Sequence, residues 1–180
     1  MKKYELTGEC KVYFGVTLRR IKSLIDFSDV KKGELGGFIE KEENLSHENN
    51  AWVYGNAEVS GDARVSGDAR VSGDAWVYGN AEVSGDAWVS GNAWVSGDAW
   101  VYGDADYVLI GRIGSRFGFT TFFRNKNNEI YVSCGCFLGP LAEFRAAVRE
   151  KHGTDTKFAK VYQVAADLAE LQIEHNGKAD

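Results

Sequence analysis

Three small groups of residues in this chain have side chains and spacings that could support chemistry, and the first is a histidine. His47 stands in the segment Leu-Ser-His-Glu-Asn-Asn, next to the long repeat described below, so it could act as a general base. The other histidines, His152 and His175, lie far along the chain. A single histidine among polar residues is more typical of a surface position than of an active site. We therefore predict no catalytic residue, with His47 as the one candidate base.

The second group could bind an anion. Gly114, Ser115 and Arg116, followed by Arg124, offer backbone N–H groups, a hydroxyl and two guanidinium groups. These are the donors that suit a phosphate or carboxylate. Their spacing matches neither a Walker nor a Rossmann motif. Anion binding by Ser115, Arg116 and Arg124 is therefore a hypothesis based on residue types alone.

The third group is Cys134-Gly135-Cys136, whose thiols could bind a metal or undergo redox chemistry. One residue separates the two cysteines, no second pair follows, and the remaining Cys10 is remote. A structural zinc site usually has four protein ligands, so buried structural thiols are the favoured interpretation. We predict no metal site and no cofactor.

A six-residue repeat must position most of the remaining candidates. From Val53 to Asp106 the chain consists of nine consecutive hexads without an insertion, such as VSGDAR and VYGNAE. Valine favours strands, and glycine followed by Asp or Asn favours turns. Valine and alanine are four positions apart, which places both on one face of an extended segment. A helix would lose about 1 kcal/mol at every glycine, so the repeat predicts a β-solenoid.

The order aliphatic, small polar, glycine, Asp or Asn, alanine, variable resembles the hexapeptide repeat of left-handed parallel β-helices. The resemblance covers residues 53–106 closely and 35–52 loosely, and it implies three hexads per coil, with residues 18 positions apart stacked. The segment 26–39 is also similar to the N-terminal cap of bacterial hexapeptide-repeat transferases and of uncharacterised phage and prophage repeat proteins. The expected fold is mainly β, a left-handed parallel β-helix with caps at its ends.

Stacking at that interval arranges the outward side chains in columns. All five tryptophans occupy the position before valine. Stacked aromatic side chains could stabilise neighbouring coils or form an interaction surface, and the sequence leaves both open. The columns are Trp52–Arg70–Trp88–Asp106, Glu58–Trp76–Trp94 and Arg64–Glu82–Trp100, and the candidate partner-binding residues among them are Trp52, Arg70, Trp76, Trp88, Trp94 and Trp100.

The Asp or Asn position of the hexad forms columns as well. Two of these columns alternate Asp with Asn, whereas the third stacks Asp68, Asp86 and Asp104. Stacked carboxylates repel one another unless a cation or a basic partner faces them. One interpretation is a solvated corner at which each Asp bonds its own turn. The other adds Asp68, Asp86 and Asp104 to the partner-binding candidates.

Composition and charge divide the chain into three parts. We predict an N-terminal β cap over 1–34, the β-helix over 35–106, and a small C-terminal α+β domain with two helices over 107–180. Residues 47–106 contain two Lys or Arg against ten Asp or Glu, a formal charge of −8. The whole chain has a charge of −5, so its net negative charge lies on the repeat. We expect no membrane span and no signal peptide. Three cysteines make no disulfide framework, so we expect the protein in the cytoplasm. If a phage encodes it, this would be the cytoplasm of the host cell.

The acidic rod, the tryptophans and the resemblance to phage repeat proteins together favour a binding function. We predict a non-catalytic protein, encoded by a phage or prophage, that binds and inhibits a host protein with a basic surface. An example would be an anti-CRISPR protein acting by nucleic-acid mimicry or blocking. Direct nucleic-acid binding by the solenoid is not expected, because its carboxylates repel phosphates. The resemblance to hexapeptide-repeat acyltransferases implies an alternative, acyl transfer from acyl-coenzyme A, and a structural oligomer is a further one. We expect a homo-oligomer, either a dimer or a trimer.

Overall fold

The computed structural model describes residues 1–13, 15–103 and 106–175, with side chains up to residue 173. The chain divides into two compact units, Met1–Asp104 and Ala105–Asp180. Among the described residues, no helix combines the length and the apolar character that a membrane span requires.

The first unit begins with an antiparallel sheet that leads into the repeat. Strands β1 (Tyr4–Tyr13) and β2 (Val16–Ser23) form a hairpin, and β3 (Leu35–Ile39) pairs antiparallel with β2. β3 also pairs in parallel with β5 (Glu58–Val59), so the N-terminal sheet continues into one sheet of the solenoid. A short 3-10 helix (Glu42–Asn44) follows β3. Because β1–β3 share a compact unit with the coils, a domain boundary at residue 34 stays a prediction.

The hexads form a β-solenoid with three parallel sheets, which confirms the predicted fold class. Strands of successive coils pair 18 residues apart, as Val53 does with Val71 and Val71 with Val89. A bridge between Leu45 and Val65 adds a further rung, so two of the sheets have four rungs. The left-handed winding stays a prediction from the resemblance. The two-residue strands are β4 (Trp52–Val53), β5, β6 (Arg64–Val65), β7 (Arg70–Val71), β8 (Trp76–Val77), β9 (Glu82–Val83), β10 (Trp88–Val89), β11 (Trp94–Val95) and β12 (Trp100–Val101), and the sheets are β1-β2-β3-β5-β8-β11, β4-β7-β10 and β6-β9-β12.

Valine and alanine fill the interior of the coils, as their spacing predicts. Every hexad valine and alanine from Ala51 to Val101 is at most 2% exposed. The backbone of one coil bonds the next, because the N–H of Glu58 donates to the carbonyl of Ala75 at 2.9 Å and the N–H of Ser60 donates to that of Val77 at 3.0 Å. Because backbone groups pair between coils and the interior side chains are apolar, the polar and aromatic side chains that could bind a ligand or partner lie on the outer surface.

The second unit is an antiparallel sheet covered by two helices. Its strands run in the order β13-β14-β15-β16, and small residues of α2, including Ala165, Ala166 and Ala169, pack into the same core as Phe122 and Phe144. The sequence predicts a small α+β domain with two helices here, and the structure adds the order of the strands, of which β16 ends at the residue before α1. The elements are β13 (Tyr107–Ile113), β14 (Gly118–Arg124), β15 (Ile130–Cys134), β16 (Phe137–Pro140), α1 (Leu141–His152) and α2 (Lys157–His175).

Candidate functional site

Trp52 is a correction to the predicted partner-binding surface. Its side chain is 0% exposed, because the N-terminal segment covers the first coil. The rings of Tyr4 and Phe27 contact it edge-on, with centroids 6.1 Å and 5.4 Å from the indole. Trp52 is therefore a core residue, and it cannot contact a partner.

His47, the one candidate base, belongs to the same covering layer. Its ring stacks on Tyr4 at 4.3 Å between centroids, and its Nδ1 accepts the backbone N–H of Lys3 at 3.2 Å. The Nε2 atom lies 3.7 Å from a carboxylate oxygen of Glu42. Tyr4 in turn donates its hydroxyl to the carbonyls of Glu42 and Leu45 at 2.9 Å and 2.8 Å. The sequence suggests a surface histidine, whereas the structure gives the ring a packing role between the N-terminal strand and the first coil.

The predicted columns of outward side chains are confirmed by the strand register. Trp76 and Trp94 are cross-strand neighbours, and their rings stack at 5.4 Å with an interplanar angle of 9°. Arg70 pairs with Trp88 in the register, with the guanidinium 6.0 Å from the centre of the indole. Stacking between coils, one of the two interpretations of the tryptophans, thus has direct geometric support.

The exposed tryptophans do not lie on one face. Trp88, Trp94 and Trp100 are 50%, 41% and 45% exposed, but they belong to β10, β11 and β12, one in each of the three sheets. Once the buried Trp52 is set aside, Trp76 and Trp94 are the only two tryptophans on one side of the solenoid. Consecutive hexads occupy consecutive sides of the solenoid, so tryptophans in three consecutive hexads point in three different directions. The partner-binding set proposed from the sequence is therefore spread over three sides.

One side concentrates aromatic surface, and we call it the stacked-Trp side. It consists of Trp76, Trp94 and Tyr13, whose ring meets Trp76 edge-on at 4.8 Å. Tyr13 is 48% exposed and was missed from the sequence, because only the folding of the β1–β2 hairpin brings it beside the coil. The two corners that flank this side carry Asp74 and Asp98.

Amide side chains separate the carboxylates at these two corners, as the alternation predicts. Asn56 donates to Asp74 at 3.4 Å, and Asn80 donates to Asp98 at 3.2 Å, in each case across one coil. Each carboxylate thus has a neutral donor as its stacking neighbour. The stacked-Trp side is framed by negative charge without direct repulsion between neighbouring coils.

The third Asp column lies at the opposite corner, between the other two sheets. Asn50 begins it and donates to Asp68 through both its backbone and side-chain nitrogens, at 3.3 Å and 2.7 Å. Asp86 is stacked next, without an amide between the two carboxylates. Asp104, the third member of the predicted column, lies outside the described residues. Asp68 and Asp86 are therefore separate from the stacked-Trp side.

Two lysines that precede the regular hexads neutralise part of the acidic charge, but only on the early coils. Lys11 pairs with Glu58 at 2.9 Å, and Lys41 pairs with Asp62 at 2.7 Å and lowers the pKa of that carboxyl by hydrogen bonding. Within the described part of the chain, no ion pair with Lys or Arg involves Asp74. The negative field of the rod is thus strongest beyond the reach of the N-terminal strands.

The predicted anion site of the second unit is divided by the fold. Arg124 donates from Nε to Asp106 at 2.9 Å, and its other nitrogens contact Asn128 and the carbonyl of Ile173. These partners occupy the guanidinium, so Arg124 is a structural residue and a correction to the predicted set. Ser115 and Arg116 lie in the β13–β14 turn and line a cleft.

The Cys-Gly-Cys motif is explained by a turn. Cys134 ends β15 and pairs with Phe137 of β16, so Gly135 and Cys136 form a two-residue hairpin turn. The thiol of Cys134 accepts the Thr120 hydroxyl at 3.2 Å. In the parts of the chain that the structure describes, no three His, Cys, Asp or Glu side chains come together as metal ligands would.

These features define a hexapeptide-repeat β-solenoid whose N-terminal sheet continues into the coils, followed by a separate α+β unit. A family model described as the YdcK beta solenoid repeat matches residues 63–79 and 87–103, both within the regular coils. The chain is also similar to a protein of Escherichia coli (strain K12) named "Uncharacterized acetyltransferase YdcK", with 37% identity over 62 residues. That match covers 30% of this chain and spans only 19% of the length of the E. coli protein. The comparisons confirm the resemblance to repeat β-helix proteins.

Proposed function

We propose that the solenoid is a non-catalytic binding module that holds a basic protein surface against its stacked-Trp side. The observation that carries the proposal is the pair of parallel indoles, extended by Tyr13 and flanked by the carboxylates of Asp74 and Asp98. Aromatic faces attract Lys and Arg through cation–π contacts, and exposed aromatic clusters are typical of interaction sites. The same partner chemistry therefore suits the rings and the corners.

The class of partner follows from charge. A rod with carboxylates on its corners repels nucleic acid and attracts proteins with basic surfaces, and nucleic-acid-handling enzymes are such proteins. The finer proposal is a phage or prophage protein that inhibits a host defence enzyme of this kind. It is supported by the acidity of the coils and by the resemblance described above.

The test is a capture experiment with two matched variants. Trp76→Ala/Trp94→Ala removes the stacked indoles, and Trp88→Ala/Trp100→Ala removes as many indoles from the other two sides. We expect the native protein to retain a basic partner from host lysate at about 0.05 M salt and to release it at about 0.5 M. Only the first variant should lose capture.

Two results would contradict the proposal. Equal capture by all three proteins would show that the indoles are purely structural. Loss of capture in Trp88→Ala/Trp100→Ala alone would show that the partner binds the other sides of the solenoid and not the stacked-Trp side. Circular dichroism of each variant before capture separates lost binding from lost folding.

A second candidate function, acyl transfer, is favoured by one observation, the name of the E. coli protein to which part of the chain is similar. The candidate base His47 is packed against Tyr4, so it would need a substrate at the first coil. A thermal-shift titration with acetyl-coenzyme A tests the idea, since a ligand present at 100 times its Kd stabilises the folded protein by about 2.7 kcal/mol. No shift, together with no acyl transfer to small amines, would exclude it.

Self-association through α2 is the proposal for the oligomeric state. Val164, Leu168 and Leu171 recur at spacings of four and three residues, which places them on one stripe of the helix. Their side chains are 67%, 50% and 66% exposed, which is unusual for a stripe of large aliphatic residues. Leu168→Lys should convert a dimer or trimer to a monomer in light scattering. Gln163→Lys, which adds the same charge on an exposed neighbour, should not.

A further inference from the structure

The second unit contains a cleft that the binding function of the solenoid does not use. It has a volume of about 150 Å³ and is bounded by the β13–β14 turn, the β15–β16 turn and both helices. Its inner wall is apolar, with Phe137, Phe144 and Val148, of which Phe144 is 3% exposed. Arg116 and Lys151, both exposed, stand at its mouth.

The charge of this cleft has one sign. Among the described residues, no Asp or Glu lines it, whereas Arg116, Lys151 and His152 do. Neither Arg116 nor Lys151 forms an ion pair with a carboxylate in the described part of the chain. Two unneutralised cations beside an apolar wall fit a ligand that has both an anionic group and an apolar body.

Tyr162 supplies a hydroxyl donor to the same cleft. Thr120 donates to the sulfur of Cys134, and that thiol lies 4.0 Å from the Tyr162 hydroxyl in donor geometry, so the Tyr162 oxygen is the acceptor of the pair. Burial raises the pKa of Tyr162 to about 12. The hydroxyl therefore keeps its proton at neutral pH and can donate it to a ligand.

The backbone makes room for this ring. Gly114 lies opposite Tyr162 with a φ of 73°, and a Cβ at this position would overlap the Tyr162 hydroxyl. Glycine satisfies both the left-handed backbone and the close approach. Glycine at position 114 thus allows the Tyr162 hydroxyl to lie in the cleft, as expected of a binding site.

We propose that this cleft binds a small organic acid, in which an alkyl chain or ring lies against Phe137, Phe144 and Val148 and a carboxylate or phosphate faces Arg116 and Lys151. Tyr162 donates to the same head group. An apolar alcohol would lack the charge, and inorganic phosphate would lack the apolar body. The cleft should therefore distinguish both from an amphipathic acid of matched length.

The experiment uses the full chain, observed by amide NMR, and a matched series of probes. Octanoate and octyl phosphate should shift the amides around residues 114–118, 134–137 and 147–152, and octyl phosphate against octanoate reports which head group is preferred. Hexanoate should bind about fifteenfold more weakly than octanoate, since it lacks two methylenes and each buried methylene is worth a factor of about four. Octanol and inorganic phosphate should leave these amides unchanged at equal concentration.

Two charge-matched variants test the head-group site. Arg116→Gln/Lys151→Gln should weaken octanoate by about tenfold or more, because hydrogen bonds to charged groups are lost. Arg112→Gln/Arg149→Gln removes two exposed cations that do not line the cleft, and it should bind octanoate as the native protein does.

A third variant tests the apolar wall. Ala147→Trp should fill the cleft and abolish octanoate binding in a protein whose spectrum is otherwise native. The proposal is overturned if octanoate causes no shifts at millimolar concentration, if octanol binds equally well, or if the two charge variants lose affinity alike. Because the solenoid takes no part in these measurements, their outcome is independent of partner capture by the stacked-Trp side.

Discussion

The first coil of the solenoid and its later coils are built from the same hexads but have opposite surroundings. Trp52 and Trp88 belong to the same sheet and the same column, yet Trp52 is 0% exposed and Trp88 is 50% exposed. The difference comes from Tyr4 and Phe27, which contact Trp52. Position in the hexad decides which way a side chain points, whereas the N-terminal segment decides whether that direction leads to solvent.

Charge follows the same division. Glu58 and Asp62 on the early coils have lysine partners that precede the regular hexads, Lys11 and Lys41, whereas the carboxylate of Asp74 accepts from an amide. A cover that neutralises one end leaves the rest of the rod as an acidic, aromatic surface. The difference suggests that the early coils serve stability and the later coils serve recognition.

The largest test of this division is Trp52→Ala against Trp94→Ala. Trp52 is fully buried, so its truncation should lower the free energy of unfolding by about 3–5 kcal/mol. Trp94 loses mainly its stacking on Trp76, worth about 0.5–1.5 kcal/mol. Urea denaturation of both variants, followed by circular dichroism, measures the two losses. Similar values would mean that the N-terminal cover does not distinguish the coils.

A second test compares glycines with the same backbone but different neighbours. Gly67 and Gly97 both have a φ of 67°, but a Cβ at Gly67 would lie 2.9 Å from the backbone nitrogen of Gly85, whereas a Cβ at Gly97 would meet no atom of the described residues within 4 Å beyond its chain neighbours. Alanine at either position suffers the left-handed strain of about 1–2 kcal/mol. Only Gly67→Ala should also crowd the next coil, at a further cost of about 1–3 kcal/mol.

Thermal unfolding of Gly67→Ala and Gly97→Ala separates the two effects, since Gly97→Ala carries the backbone strain alone. Equal shifts in Tm would show that the interior coils relax around the added methyl group. The contrast between stacked and unstacked turns would then not be a property of the fold.

The sequence predicted the coils and their columns because each hexad interacts with its equivalent 18 residues away, so the local pattern contains its own tertiary contacts. It could not predict the burial of Trp52 or the position of Tyr13, because both depend on where a non-repeating hairpin folds. Arg124 was misassigned for a similar reason, since its partner Asp106 is fixed by the register of β13 and β14. The cleft of the second unit combines residues from distant elements. The sequence singled out Ser115 and Arg116 as anion-binding candidates and Cys134-Gly135-Cys136 as a separate motif, but no local pattern joins the two.

The covering layer also predicts an unusual dependence of stability on pH. The Lys3 side chain is 1% exposed, donates to the carbonyl of Ala51 at 2.8 Å, and has its pKa lowered to about 8 by burial, partly opposed by Asp68. The unfolded chain keeps its proton up to the usual pKa of 10.5, so it binds more protons than the folded chain above pH 8. Stability should therefore rise with pH, by about 1 kcal/mol between about pH 8 and 9.5.

Urea denaturation across that pH range, for the native protein and for Lys3→Met, isolates this contribution. The difference between their free energies of unfolding should grow with pH in favour of the native chain. Lys2→Met, at a neighbouring exposed lysine, is the control and should leave the slope unchanged. A native slope that survives in Lys3→Met would assign the effect to other groups.

The smallest expected effect concerns the one corner where carboxylates follow each other directly. Asp68 accepts from Asn50, but its next neighbour in the column is Asp86, and like charges opposite each other destabilise a sheet. Asp86→Asn would extend to this corner the alternation seen in Asn56–Asp74 and Asn80–Asp98. It should raise the free energy of unfolding by about 0.2–1 kcal/mol at low salt.

Salt makes this prediction specific. Screening at about 1 M salt should remove most of the gain, since the Debye length then falls to about 3 Å. The native carboxylate of Asp62 has Lys41 as its partner, so Asp62→Asn should instead lower the free energy of unfolding. Salt should reduce this loss, just as it reduces the gain from Asp86→Asn. If Asp86→Asn gave no gain at low salt, the solvent at that corner would already screen the two carboxylates. The later coils would then carry their negative charge without a cost in stability, which favours its retention as a recognition surface.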